Sequence, residues 1–152
     1  MLAPPTTRWL DVGQQRVWRT YLDGVARLNQ HLDAALRPFG LDLGEYEVLV
    51  RLSEAEGRRM RMSDLADAAR QSRSRLTHTA TRMERKGLIA RFPCNEDRRG
   101  VIAALTDPGF ALLESAAPTH VRSVRQFFVD VVDPDDFEAL GRAMAAVARV
   151  AD

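Results

Sequence analysis

The sequence predicts an α+β fold that is mainly α-helical, with one small β-hairpin set between helices. Two short apolar stretches, 88–90 and 101–105, flank a polar run at 96–100, and this pattern is typical of two strands joined by a loop. The segment just before them, 71–86, has helical spacing and carries several arginines. Helical periodicity continues toward both ends. We therefore expect a small helical lobe with a hairpin, flanked by longer helices.

Positive charge is concentrated in the middle of the chain. Residues 57–100 contain 12 Lys and Arg against 5 Asp and Glu, whereas the rest contains 10 against 16. The net charge of the whole chain, +1, hides this asymmetry. A polyanion is therefore expected to bind the middle of the chain and not its ends. The 45% apolar content is enough for the core of one domain.

Several function classes find no support in the composition. There is no run of about 18 apolar residues and no basic leader before an apolar stretch, so we expect no membrane span, no secretory signal and a cytoplasmic protein. The single cysteine excludes an internal disulfide framework. The three histidines lie on separate predicted helices, so no metal is expected. No catalytic constellation or phosphate loop is present, and we expect no cofactor and no enzyme.

The helices outside the middle region are predicted from periodicity and caps. Apolar residues recur at helical spacing over 9–36 and 44–55, with Pro38 in the turn between them. After the hairpin, Thr106 and Pro108 start a helix that Pro118 bends or interrupts. A last helix starts at Asp133. Its apolar positions are spaced for burial: Phe137, Leu140, Met144 and Val147.

Two short helices precede the hairpin, and the second has a narrow apolar seam. Ser63 is placed to cap the first helix and Ser72 to cap the second, while Gly87 ends the second in a left-handed conformation. The apolar positions of the second helix fall at i, i+4 and i+7: Leu76, Ala80 and Met83. Its wide outward face is basic and hydroxyl-bearing. Together with an arginine-tipped hairpin, this pattern is typical of a winged helix-turn-helix that binds duplex DNA.

These residues resemble the MarR family of bacterial transcription regulators over nearly the whole chain. Each matching fragment is weak alone, but their joint order and spacing are specific: 63–66, 76–78, 82–89, 97–99 and 105–106. The resemblance implies one domain, 1–152, with dimerisation helices at about 8–37 and 107–151 and a winged helix-turn-helix lobe at about 44–106. It also implies a homodimer that binds a near-palindromic operator, with repression by promoter occlusion.

The residues predicted to contact DNA lie on the second short helix and at the hairpin tip. Guanidinium forks and short hydroxyls match base edges in the major groove, and arginines at the tip match a minor groove or its phosphates. The predicted set is Arg73, Ser74, Arg75, Thr77, His78, Thr81, Arg82, Arg98 and Arg99. The alternative is a solvated position, or an arginine paired with Glu84 or another acid. The resemblance assigns Asp97 to support an arginine at the tip.

The resemblance further implies release of the DNA by a small aromatic ligand, bound between the terminal helices and the lobe. The candidate ligand residues are Trp18, Arg19, Tyr21 and Tyr46. The alternative for these side chains is packing in the core or in the dimer interface. Cys94, which lies among arginines in the predicted hairpin, is either an oxidant sensor or an incidental thiol.

Two other functions share the basic lobe. An architectural DNA-binding protein would not choose between sequences, and its affinity for a specific site would equal that for competitor DNA. A winged-helix module that binds another protein would have a less basic helix face and an exposed apolar patch. The net charge of +7 over 57–100 argues against this second alternative.

Overall fold

The computed structural model describes residues 7–97 and 99–150, and Arg98 lies outside them. The helices are α1 (Val12–Leu36), α2 (Leu43–Glu54), α3 (Met62–Ala68), α4 (Arg73–Arg85), α5 (Asp107–Val124) and α6 (Pro134–Ala148). The strands are β1 (Arg59–Arg61), β2 (Ile89–Pro93) and β3 (Val101–Leu105). The mainly helical α+β fold predicted from the sequence is confirmed. Among the described helices, none is long and apolar enough to cross a membrane.

Both N-terminal helices begin with a reciprocal capping box. The Asp11 carboxylate accepts the Gln14 N–H at 2.8 Å, and the Gln14 side chain accepts the Asp11 N–H at 3.0 Å. Asp42 and Glu45 make the same pair of bonds at 2.7 and 3.0 Å. Such boxes satisfy backbone donors that a helix start leaves without partners. They place the starts of α1 and α2 at residues 12 and 43, close to the predicted 9 and 44.

The two helices of the helix-turn-helix differ in how they start. The predicted cap at Ser63 is wrong, because β1 runs directly into α3 and Ser63 already lies in its first turn. Arg61 is the residue before α3, and its side chain makes no capping bond. The cap of α4 is confirmed, since Ser72 Oγ accepts the Arg75 N–H at 3.2 Å.

The sheet contains one strand that the sequence pattern did not indicate. The predicted hairpin is confirmed as β2 and β3, which pair antiparallel from Ile89 opposite Leu105 to Pro93 opposite Val101. The three-residue strand β1 adds to the other edge of β3, with Met60 opposite Ala103, so the order is β1-β3-β2. The wing is therefore tied to the residues that enter α3.

The hydrophobic core lies inside the lobe. Its large, fully buried side chains are Leu36, Val48, Leu49, Leu52, Leu65, Leu76, Met83 and Ile89. They come from the end of α1, from α2, α3 and α4, and from β2. The predicted seam of α4 is confirmed, because Leu76, Ala80 and Met83 are all buried. Burial of this seam orients α4 and leaves its opposite face exposed.

A backbone junction joins the end of α4, the wing and the start of α5. Gly87 has φ of +73°, the left-handed conformation predicted for the end of α4. The Thr106 N–H donates to the Leu88 carbonyl at 3.1 Å, and the Thr106 hydroxyl donates to the Gly87 carbonyl at 2.7 Å. The same hydroxyl accepts the Gly109 N–H at 3.1 Å and so caps α5, as predicted. A Cβ at Gly109 would overlap the Leu88 carbonyl.

The C-terminal helices extend beyond the core. Helix α5 continues through Pro118 into a π-helical turn at Arg125–Val129, so the chain continues the helix there and does not start a new one. The start of α6 at Asp133 is confirmed. The predicted burial of its apolar positions is wrong for a single chain: Met144 is 38% exposed and Val147 is 63% exposed, with Phe137 and Leu140 partly buried. The residues that the structure describes thus cover this face only in part.

Helix α1 and the residues before it also carry exposed apolar side chains. We call the following set, with Met144 and Val147 of α6, the terminal apolar residues: Trp9, Leu10, Val12, Val17, Trp18, Tyr21, Leu22 and Val25. Soluble monomers seldom expose large apolar patches, and such patches mark interaction surfaces. The core and the terminal apolar residues thus occupy different parts of the chain.

Replacing Gly109 with alanine is expected to destabilise the protein. The added methyl group would meet the Leu88 carbonyl, and relieving that overlap requires movement of the wing or of α5. Overpacking of this kind reduces the free energy of unfolding by about 1–3 kcal/mol. Thermal unfolding followed by circular dichroism measures the effect.

Gly141→Ala is the matched control, because no atom of the described residues lies within 4 Å of a Cβ built at that position in α6. Alanine in a helix interior is favoured over glycine by roughly 0.5–1 kcal/mol, so this variant should not melt below the wild type. Equal melting temperatures for Gly109→Ala and the wild type would contradict a tight junction at Leu88.

Candidate nucleic-acid interface

The exposed face of α4 carries the side chains expected of a surface that reads DNA. Because Leu76, Ala80 and Met83 turn the apolar seam inward, the opposite face points to solvent. Exposed on it are Arg73, Ser74, Arg75, Thr77 and His78. The Thr77 hydroxyl donates to the Arg73 carbonyl at 2.9 Å, which leaves its oxygen able to accept a hydrogen bond.

Thr81 and Arg82, further along α4, are engaged within the lobe. The Thr81 hydroxyl donates to the Thr77 carbonyl at 2.9 Å and accepts from the Arg91 guanidinium at 3.1 Å. The Arg82 guanidinium lies 3.1 Å from the Asp42 carboxylate and 3.5 Å from that of Glu45. Arg82 is therefore in an ion pair, the alternative weighed from the sequence, although its partners are Asp42 and Glu45 at the start of α2 and not Glu84.

Glu84 instead ties α4 to the wing. Its carboxylate accepts the backbone N–H of Arg91 at 3.0 Å and faces the Arg91 guanidinium at 3.3 Å. The side-chain hydrogen bond from Arg91 holds the pKa of Glu84 below its usual value. Since Arg91 also bonds Thr81, one arginine of β2 contacts two turns of α4.

The wing tip is organised by Asp97 and by an arginine that the sequence did not single out. Asp97 accepts the Arg99 N–H at 3.0 Å through its carboxylate and the Gly100 N–H at 2.9 Å through its carbonyl. Its carboxylate also lies 3.6 Å from the guanidinium of Arg61, which is 3.6 Å from Glu96 as well. Arg61 belongs to β1, so only recognition of that strand would have placed it at the tip.

A groove of about 360 Å³ opens between the wing and the start of α4. Its lining includes Arg61, Arg73, Thr77, Asp97 and Arg99. Guanidinium groups converging on a concave surface match the oxygens of phosphate, because their N–H donors form a rigid fork. The groove thus joins the exposed end of α4 to the wing tip in one basic surface.

The candidate ligand residues contact different neighbours. Trp18 and Tyr21 stack with ring centroids 5.9 Å apart on α1, where both are exposed, as is Arg19. Tyr46 is buried, and its ring lies 4.3 Å from that of His120 on α5. The assignment of these four residues to a ligand stays a prediction. In the described part of the chain, no three metal-ligating side chains converge.

His120 lies where α5 packs against α2. Its Nδ1 atom is buried and has no hydrogen-bond partner among the residues that the structure describes. Burial lowers the pKa of His120, with a smaller opposing effect of Glu47, so the neutral ring is favoured. Burial also raises the pKa of Tyr46, and Glu47 adds to that increase.

The lobe is a helix-turn-helix with an attached hairpin. Basic groups lie on both the exposed helix face and the hairpin tip, and together these features define a winged-helix DNA-binding protein. Comparison with known proteins specifies the family. The model of the MarR family matches residues 41–101. The wing and both helices of the helix-turn-helix fall within or at the edge of this match.

Relatives extend the match to nearly the whole chain. AbsC, a MarR family transcriptional regulator from Streptomyces coelicolor, is 48% identical over 93% of this chain and 96% of AbsC, with a TM-score of 0.86. Sco3205, a MarR family regulator from the same organism solved in complex with DNA, is 40% identical over 95% of this chain and 91% of its own, with a TM-score of 0.89. PecS, a transcriptional regulator of Dickeya dadantii, is 29% identical over 81% of this chain and 72% of PecS. The chain belongs to the MarR family of transcriptional regulators.

Acidification is expected to destabilise the wild-type protein through His120. The unfolded side chain has a pKa near 6.5 and the folded one a lower pKa. The unfolded state therefore binds the proton first, so this stability is fully present above the unfolded pKa and is lost as the pH falls toward the folded pKa. Urea unfolding between about pH 7.5 and 5.5 measures the change, within the range where histidine titrates.

His120→Phe is the comparison, because phenylalanine keeps an aromatic ring against Tyr46 and cannot titrate. The wild type should lose more free energy of unfolding than this variant over the same pH range. Parallel pH profiles for the two proteins would exclude His120 as the source.

Proposed function

We propose that this protein represses transcription as a homodimer that binds a near-palindromic operator. The groove that joins the start of α4 to the wing tip carries this proposal, because Arg61, Arg73 and Arg99 line it together. Helix α4 would enter a major groove as the recognition helix, and the wing would follow the backbone to the neighbouring minor groove. The complex of Sco3205 with DNA supports the same use of the fold in this chain.

Different residues are proposed for base and phosphate contacts. Ser74, Arg75, Thr77 and His78 are exposed on the recognition helix and would contact base edges. Arg73 and Arg99 line the groove and would contact phosphates or the minor groove.

Thr81 and Arg82 already have partners within the lobe, which favours a supporting role for both. Asp97 would hold the tip through the Arg99 N–H and the Arg61 guanidinium.

The terminal apolar residues support the homodimer. They lie on, or just before, the helices that extend beyond the lobe, where a second copy would cover them. The two recognition helices would then lie about one helical turn, ~34 Å, apart and enter successive major grooves. A dimer held in this way covers a promoter, which makes repression by occlusion the simplest outcome.

A ligand that binds a dimer of different spacing more tightly than the competent one would release the DNA. The contact between Tyr46 and His120 joins the lobe to α5, so a change there would alter the lobe's position relative to the terminal helices. Release by a small aromatic ligand remains the prediction made from the resemblance.

Selection from randomised duplexes is expected to yield a sequence that the wild type prefers to a scrambled duplex by about a thousandfold or more. Arg75→Ala should weaken binding to the selected duplex by about 1–3 kcal/mol and lower the preference, because a base contact is lost. Arg99→Ala should reduce the slope of log affinity against log salt by about one, because a phosphate contact is lost. Fluorescence anisotropy of labelled duplexes measures both quantities.

Arg149→Ala, next to α6, removes the same charge outside the lobe and should change neither quantity. Equal affinity of the wild type for selected and scrambled duplexes would favour the architectural protein. No binding to any duplex would favour the protein-interaction module. Unchanged binding by Arg75→Ala would remove that residue from the interface.

We expect the molar mass of the wild type, measured by sedimentation, to be twice that of the monomer. Val17→Glu should shift it toward the monomer, because it places a charge at an apolar side chain of α1 that is 65% exposed in the single chain. Analytical ultracentrifugation over a concentration series measures the equilibrium. Val101→Glu is the control, since Val101 is an exposed valine of the wing. A monomeric wild type, or equal effects of the two variants, would contradict a dimer formed through α1.

A further inference from the structure

We propose that Glu45 is a positioning residue, which fixes the orientation of the recognition helix and keeps Arg82 and Lys86 from binding DNA phosphates. The inference rests on the DNA-binding function proposed above and concerns the opposite end of α4 from the groove. It assigns a role to a cluster that joins the ends of three helices. We call Glu45, Asp42, Arg82 and Lys86 the anchor cluster.

Glu45 is buried although it is charged and lies in the first turn of α2. It is 2% exposed. One carboxylate oxygen accepts the Asp42 N–H at 3.0 Å, and both accept from the Lys86 ammonium, at 2.9 and 3.1 Å. The Arg82 guanidinium lies 3.5 Å away. A buried carboxylate is tolerated only when charges and hydrogen bonds compensate it, so these partners must stay in place.

The anchor cluster connects elements that are distant in sequence. Arg82 lies in the last turn of α4, and Lys86 follows directly after that helix, one turn further on the same face. Arg82 also pairs with Asp42 at 3.1 Å. The Lys86 ammonium donates a further bond to the Gly40 carbonyl at 2.8 Å, just beyond α1. The C-terminal end of the recognition helix is thereby held against the end of α1 and the start of α2.

This arrangement divides α4 into two functional halves. At the N-terminal half, Arg73 and Arg75 are exposed, and Arg73 lines the wing groove. At the C-terminal half, two cations face two carboxylates, so their charges are matched within the protein. The salt dependence of DNA binding counts the cations that neutralise phosphates. Arg82 and Lys86 should therefore add nothing to that count, and their contribution to affinity is through the tilt of the helix.

Glu45→Gln separates these effects. Glutamine keeps the shape of the side chain and an oxygen for the Asp42 N–H, so the capping box survives. It removes the charge that holds Arg82 and Lys86. We expect affinity for the selected duplex to fall about tenfold, within the usual range for a coupling of this type. Affinity for the scrambled duplex should rise, with a salt slope steeper by about one or two, because released cations reach phosphates.

A purely structural loss predicts a different result. Partial unfolding lowers binding to both duplexes by the same factor and leaves the salt slope unchanged. The informative readout is therefore the ratio of the two affinities, measured by anisotropy over a salt series, with circular dichroism on the same samples.

Glu54→Gln is the matched control, because it makes the same charge change at the exposed end of α2. Residue 54 lies about 13 Å further along that helix, at 1.5 Å per residue. The ratio of the two affinities of Glu54→Gln, for the selected and the scrambled duplex, should equal that of the wild type, and so should its salt slope. Equal results for Glu45→Gln and Glu54→Gln would overturn the inference, as would a Glu45→Gln variant that keeps the wild-type ratio of affinities. A wild type that binds the selected and the scrambled duplex equally would instead contradict the proposed function.

Lys86→Gln tests the cluster from its exposed side; Arg82 remains as a charged partner of Glu45 in this variant, and circular dichroism checks that it folds. Its side chain is 42% exposed in the wild type. We expect weaker binding to the selected duplex, with unchanged affinity and salt slope for the scrambled duplex, since the ammonium is already matched by Glu45. A salt slope reduced by about one would show that Lys86 contacts phosphate, and the inference would then be wrong.

Discussion

The backbone junction of Gly87, Leu88, Thr106 and Gly109 is the constraint on which the arrangement of the molecule depends. It is made of hydrogen bonds among main-chain carbonyls, main-chain N–H groups and the Thr106 hydroxyl, and Gly109 lies so close to Leu88 that no side chain fits between them. Such a contact has little freedom to slide, because both backbones would lose hydrogen bonds together. The end of α4, the base of the wing and the first turn of α5 are therefore expected to move as one unit, and a shift of α5 would be passed to the surface proposed to face DNA.

The charge of the lobe is divided between scaffold and surface. A net charge of +7 over residues 57–100 suggests a uniformly basic patch, yet several of those cations have partners inside the fold. Arg91 binds Glu84 and Thr81, Arg61 binds the acids of the wing tip, and Lys86 binds Glu45. The paired arginines and the lysine hold α4 and the wing in their orientations. The exposed arginines therefore lie at defined positions. Specificity requires this division, because cations that reach any phosphate do not distinguish sequences.

The parts of the structure that could be predicted are those encoded locally. The seam of α4, the caps at Ser72 and Thr106 and the β2–β3 hairpin depend on residues a few positions apart, and their patterns are visible in the sequence. Strand β1 could not be recognised, because three residues carry no alternation and their pairing is determined by β3, more than 40 positions later.

The site could be predicted in outline but not in its pairings. The exposed positions of α4 follow from the helical period, whereas the partner of Arg82 is Asp42, 40 positions away, which local spacing cannot reveal. Apolar spacing in α6 correctly indicated a helix with one apolar face, but not that the described part of the chain leaves Met144 and Val147 exposed. Periodicity identifies a surface that avoids water and does not say which molecule covers it.

The positions of the tryptophans have a spectroscopic consequence. The chain has two, Trp9 and Trp18, and both lie at the N-terminal end, 83% and 53% exposed in the single chain. Indole emission shifts to shorter wavelength when water is excluded from the ring, so the native fluorescence reports the surroundings of α1 and is blind to the lobe. Binding of a DNA duplex at α4 would leave the wavelength of maximum emission unchanged unless α1 itself moves. The chain thus contains a built-in optical signal for rearrangement of its N-terminal helix, separate from occupancy of the winged lobe.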